Sequence, residues 1–90
     1  MLKMVDHAFY LKAVNNPIRR EMLRILNEVE KTSQEDFFEK LKANNILDKE
    51  DVFKYNIDYL IQADCVKKIE EDGNKINFEI LQAGKVIEKY

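Results

Sequence analysis

Residues 51–81 read DVFKYNIDYLIQADCVKKIEEDGNKINFEIL, and part-way along them the spacing of apolar residues changes. In the first half Phe53, Ile57, Leu60 and Ile61 recur at helical intervals, which predicts a helix over about 49–63 buried along one side. From Cys65 the pattern alternates instead. VKKIEE and KINFEIL flank Asp72-Gly73-Asn74, and Ile76, Phe78 and Ile80 take turns with Asn77 and Glu79, as in strands with one buried face. A Gly beside Asp or Asn suits the positive φ angles of a tight turn. A helix that runs into a β-hairpin is the feature around which the rest of the chain has to be arranged.

Upstream, a helix over about 34–43 is buried through Phe37, Phe38 and Leu41. Thr32-Ser33-Gln34-Glu35-Asp36 starts it with two overlapping capping boxes, Thr32 with Glu35 and Ser33 with Asp36. Asn44-Asn45 ends it, Ile46 and Leu47 supply turn contacts, and Asp48 caps the next helix with Asp51 at its third position. Further back, Asn15 or Asn16 caps a helix whose first residue is Pro17. Its core stripe is Ile18, Met22, Ile25, Leu26 and Val29, with Arg19, Arg20, Arg24 and Asn27 expected on the surface. HAFYLKAV forms a short first helix capped by Asp6, and QAGKVIEKY a short last one with Val86, Ile87 and Tyr90 as its apolar side. The expected order is α-α-α-α-β-β-α, mostly α with one hairpin, in a single domain over 1–90.

A composition of 46% hydrophobic and 36% charged residues, with two Gly and one Pro, describes a helix-rich globular chain and excludes a disordered one. Cys65 is the only cysteine, so no intrachain disulfide forms and a reducing, cytoplasmic setting is expected. The N-terminal stretch is broken by Lys3, Asp6 and Lys12, unlike a signal peptide or a membrane span. His7 is the only histidine, and there is no Gly-rich phosphate loop and no His/Cys pairing. No metal, no cofactor and no enzymatic activity are therefore expected.

Three segments resemble a known family. NPIRREMLRIL over 16–26 is similar to the opening helix of the winged helix-turn-helix regulators of the ArsR type, in the broad archaeal and bacterial sense that shades into MarR-like and PadR-like proteins. DVFKYNIDYLIQADCV over 51–66 resembles that family's recognition helix and the exit from it, and the hairpin with LQAGK over 81–85 resembles its wing and closing helix. Asp64 stands where the family usually has Gly, and the family's Cys-rich metal-sensing motif is missing, so metal sensing does not carry over. The resemblance implies a helix-turn-helix over about 33–63, a wing over about 65–81, and a homodimer that binds double-stranded DNA as a transcription regulator.

In that arrangement the helix over 49–63 lies in the major groove and the wing touches an adjacent phosphate or minor groove. The residues expected to meet DNA are Lys49, Lys54, Tyr55, Lys67, Lys68, Asn74 and Lys75. The first helix carries more apolar groups than one core-facing stripe needs, so Phe9, Leu11, Val86 and Tyr90 are expected at a dimer interface. Charge opposes DNA binding. Net charge is −2, and the outward face of the 49–63 helix holds Glu50, Asp51 and Asp58 beside Lys54 and Tyr55. In the hairpin Lys67, Lys68 and Lys75 are expected at the base, with Glu70, Glu71 and Asp72 toward the tip. The competing expectation is a protein-interaction module, an accessory subunit of a transcription or replication assembly whose acidic face meets a basic partner.

Overall fold

The computed structural model describes residues 7–85, which form five helices and a three-stranded antiparallel sheet in a small mixed α/β unit. In chain order they are α1 (His7–Val14), α2 (Pro17–Val29), β1 (Lys31–Ser33), α3 (Gln34–Ala43), α4 (Glu50–Gln62), β2 (Val66–Glu71), β3 (Lys75–Ile80) and α5 (Gln82–Lys85). The expected cap Asp6 and the apolar residues Val86, Ile87 and Tyr90 lie outside the described residues. None of the described helices is long and apolar enough to cross a membrane.

Helix α2 is the central element. Asn16 caps it, its Oδ1 accepting from the N–H groups of Ile18 (2.9 Å) and Arg19 (3.1 Å), and Pro17 at the first position has no N–H to leave unpaired. Met22, Leu23, Ile25 and Leu26 are buried from it, while Ile18 and Val29 pack at the margin of the core.

The expected element order needs one correction, because a strand separates the second and third helices. Glu30 takes a left-handed φ of 66° and ends α2; residues 31–33 then extend along β3, pairing Lys31 with Glu79, Thr32 with Phe78 and Ser33 with Asn77. The sheet order is β1-β3-β2. Of the two expected capping boxes only the Ser33 side-chain cap forms, without the reciprocal bond from Asp36. Ser33 Oγ accepts from the N–H of Asp36 at 3.1 Å, whereas Thr32 belongs to the strand and its hydroxyl donates to the Ser33 carbonyl at 3.4 Å.

Helices α3 and α4 end in the same way. Asn45 (φ 58°) follows α3 and Asp64 (φ 58°) follows α4. In each case the left-handed residue donates to a carbonyl three residues back, and the next residue to one five back: Asn45 to Lys42 and Ile46 to Leu41, then Asp64 to Ile61 and Cys65 to Leu60. Asp64 takes the left-handed position without a glycine, as its short side chain allows. The start of α4 differs from expectation: its cap is Lys49, without a side-chain bond, and not Asp48, while Asp51 Oδ1 accepts from the N–H of Val52 (2.9 Å).

Phe37, Phe53 and Phe78 meet in edge-on and tilted contacts at 5.6–6.3 Å, and Phe38 joins through Phe53 at 5.6 Å. This cluster fastens α3 and α4 to β3. The hairpin turns through Asp72-Gly73-Asn74, with φ of 79° at Gly73 and 61° at Asn74. Gly84 in α5 is required by close approach, since a Cβ there would stand 2.5 Å from the Cys65 carbonyl oxygen and 2.7 Å from Ile80 Cδ1.

Candidate nucleic-acid interface

Helix α4 turns Phe53, Asn56, Ile57 and Leu60 inward and leaves Glu50, Asp51, Lys54, Tyr55 and Asp58 exposed, the face expected from periodicity. Tyr55 is 63% exposed, the most open large hydrophobic side chain among the described residues. Lys49 is exposed at the helix start. Among the described residues neither Lys49 nor Lys54 makes an ion pair.

Behind this face lies a group that was expected at the surface. Arg19 is only 5% exposed; its Nε donates to the Ala13 carbonyl (2.6 Å), one Nη to Asn56 Oδ1 (2.8 Å) and the other to the Lys12 carbonyl (3.1 Å). The guanidinium carbon lies 4.2 Å from the centre of the Tyr59 ring. Tyr59 in turn stacks on Phe9 (5.2 Å) and meets Tyr55 edge-on (5.7 Å). Arg19 therefore caps the carbonyl end of α1 and ties it to the middle of α4. The sequence did hold a signal: Asn56 falls on the inward face of α4, and a buried amide requires a partner. Arg24 behaves as a surface residue, pairing with Glu21 (3.2 Å) and Glu28 (2.9 Å) along α2.

The hairpin lysines divide between two faces of the sheet, because successive strand residues point to opposite sides. Lys68 shares a rung with the buried Phe78 and so lies on the side that faces the helices, its Nζ 3.4 Å from Glu70. Lys67, opposite Glu79, and Lys75, opposite Glu71, lie on the outer side, where Asn77 also donates to Glu71. Lys75 is on the last rung before the turn, at the tip of the hairpin rather than its base, and next to Asn74.

Two grooves gather these residues. One, of about 250 Å³, runs between α4 and the sheet; Gln34, Lys54, Asp58 and Lys68 line it over an apolar floor that includes Ile57 and Phe78. The other, of about 590 Å³, lies between the hairpin turn and the start of α3 and brings Asn74 and Lys75 to Ser33, Gln34 and Glu35. Gln34 borders both. Of the residues expected to meet DNA, Lys54 and Lys68 thus converge in one groove and Asn74 and Lys75 in the next, while Lys67 stands apart from both.

The apolar excess of α1 is smaller than its sequence suggests. Ala13 and Val14 are in the core and the Phe9 ring is spent on Tyr59, which leaves Leu11 (40% exposed) and Ala8 on the outer face; Val86 and Tyr90 are outside the described residues. Tyr10 joins α1 to α5 through its hydroxyl, which donates to the Ala83 carbonyl at 3.0 Å. Burial pushes the Cys65 thiol from an ordinary 9.0 up to about 11, with the adjacent Asp64 carboxylate adding to the effect, so the thiolate is not available near neutrality. Among the described residues no three His, Cys, Asp or Glu side chains are grouped to hold a metal ion. Comparison with family models, curated proteins and solved structures gives no match to this chain.

Proposed function

We propose that this chain is a winged helix-turn-helix domain that binds double-stranded DNA as a homodimeric transcription regulator, with α3 and α4 as the helix-turn-helix and β2–β3 as the wing. The observation that carries the proposal is the convergence on one groove of Lys54 from α4, which makes no ion pair among the described residues, and Lys68 from β2, which keeps one to Glu70, with the exposed Tyr55 next to Lys54 on the helix. A helix placed in the major groove with a hairpin against the neighbouring backbone uses this combination of a reading helix and flanking cations. The element order and the β1-β3-β2 sheet are compatible with such a domain. Lys49 at the start of α4 and Asn74 and Lys75 at the hairpin tip supply further phosphate contacts.

Binding measured by fluorescence anisotropy between about 50 and 200 mM salt tests this, because each neutralised phosphate adds about 0.9 to the slope of log affinity against log salt. Replacing Lys54 and Lys68 together with Ala is expected to weaken binding and to reduce that slope by about 1 to 2. Absence of binding at the lowest salt overturns the proposal. It would favour the second reading, a protein-interaction module, which the exposed carboxylates Glu50, Asp51 and Asp58 on α4 support.

A further inference from the structure

The outward face of α4 carries carboxylates at its crest. Seven residues make nearly two helical turns, so Asp51 and Asp58 share one row, with Lys54 and Tyr55 on either side of it. A carboxylate directed at a polyanion lowers affinity unless it meets a hydrogen-bond donor. Asp51 already uses one oxygen on the Val52 N–H. The Asp58 carboxylate accepts no hydrogen bond and makes no ion pair among the described residues. It lies on the rim of the α4–sheet groove together with Lys54 and Lys68, whose positive charges offset its repulsion from phosphates.

In the major groove a G·C pair presents two neighbouring acceptors, guanine N7 and O6, and one donor, the cytosine N4 amino group. One lysine and one aspartate are the complement of that edge. An A·T pair places its adenine N6 donor between two separated acceptors and adds the thymine methyl group, which a carboxylate meets unfavourably. Lys54 and Asp58 are one helical turn apart, about 6 Å along the axis, which spans one base pair or two neighbours stacked about 3.4 Å apart.

We infer that Lys54 and Asp58 form a donor–acceptor pair that selects G·C over A·T in the major groove, Lys54 donating to guanine and Asp58 accepting from the cytosine amino group. The inference rests on the DNA-binding function proposed above. It gives the acidic crest of α4 a role in specificity, where otherwise it only opposes binding.

Three duplexes of one length, built from G·C, inosine·cytosine or A·T pairs, test it at a fixed low salt concentration. Inosine·cytosine keeps the major-groove edge of G·C and loses only the minor-groove amino group. The G·C and inosine·cytosine duplexes are expected to bind alike and about tenfold more tightly than A·T. Asp58→Ala, which removes the acceptor at an exposed position, is expected to remove most of that preference with folding intact by circular dichroism. Equal affinity for all three duplexes overturns the inference and leaves DNA binding standing. Inosine·cytosine behaving like A·T overturns it by moving the readout to the minor groove. No binding to any duplex overturns both it and the function on which it rests.

Discussion

The Arg19 guanidinium is only 5% exposed and meets no carboxylate among the described residues; two main-chain carbonyls, the Asn56 amide oxygen and the Tyr59 ring surround it instead. Hydrogen bonds from a charged group to buried acceptors contribute about 1.5–3 kcal/mol each, and acceptors left without a donor add a desolvation cost. Arg19→Met, similar in length and without donors, is therefore expected to lower unfolding stability by about 3 kcal/mol in a urea titration. A loss below about 1 kcal/mol would mean that the network is incidental. The position was misread from sequence because the spacing of α2 assigns residue 19 to no apolar stripe. What buries it is the end of α1 and the inward Asn56 of α4, partners six and 37 residues away. By contrast the cap regions Asn15-Asn16 and Thr32-Ser33 were legible, since a cap is decided within a few residues; of the alternatives they offered, the structure takes Asn16 and Ser33.

At the level of elements, the four longer helices and the hairpin were readable because each carries its own periodicity, 3.6 in α2 and α4 and 2 in β3. Strand β1 was not. Thr32-Ser33 has the local chemistry of a helix start, and its strand character comes from pairing with residues 77–79. The division of the lysines also follows from pairing: Lys67 and Lys68 are neighbours in sequence and occupy opposite sides of the sheet. Helix α1 carries the proposed dimer contact, now narrowed to its outer face around Leu11. The wild-type chain is expected to sediment as a dimer and Leu11→Glu as a monomer, since one buried carboxylate is enough to disfavour an apolar contact. A wild-type monomer at the same concentration would remove the homodimer from the proposal.

Across the whole molecule, acidic and basic groups nearly balance, and function depends on where each kind is presented. The first turns of α3 and α4 are acidic, through Glu35 and Asp36 and through Glu50 and Asp51. Farther along, cations from two elements meet in the groove between α4 and the sheet. DNA approaching this surface is therefore expected to engage the middle of α4 and the inner side of β2 more closely than the first turn of α4. Adding a G·C-containing duplex to ¹⁵N-labelled protein and following the amide resonances locates the contact residue by residue. Shifts concentrated at Gln34, Lys54, Tyr55, Asp58 and Lys68 are expected, fading as salt is raised. Unchanged resonances, or shifts confined to α1 and the outer face of the sheet around Lys67 and Glu79, would contradict α4 as the reading helix.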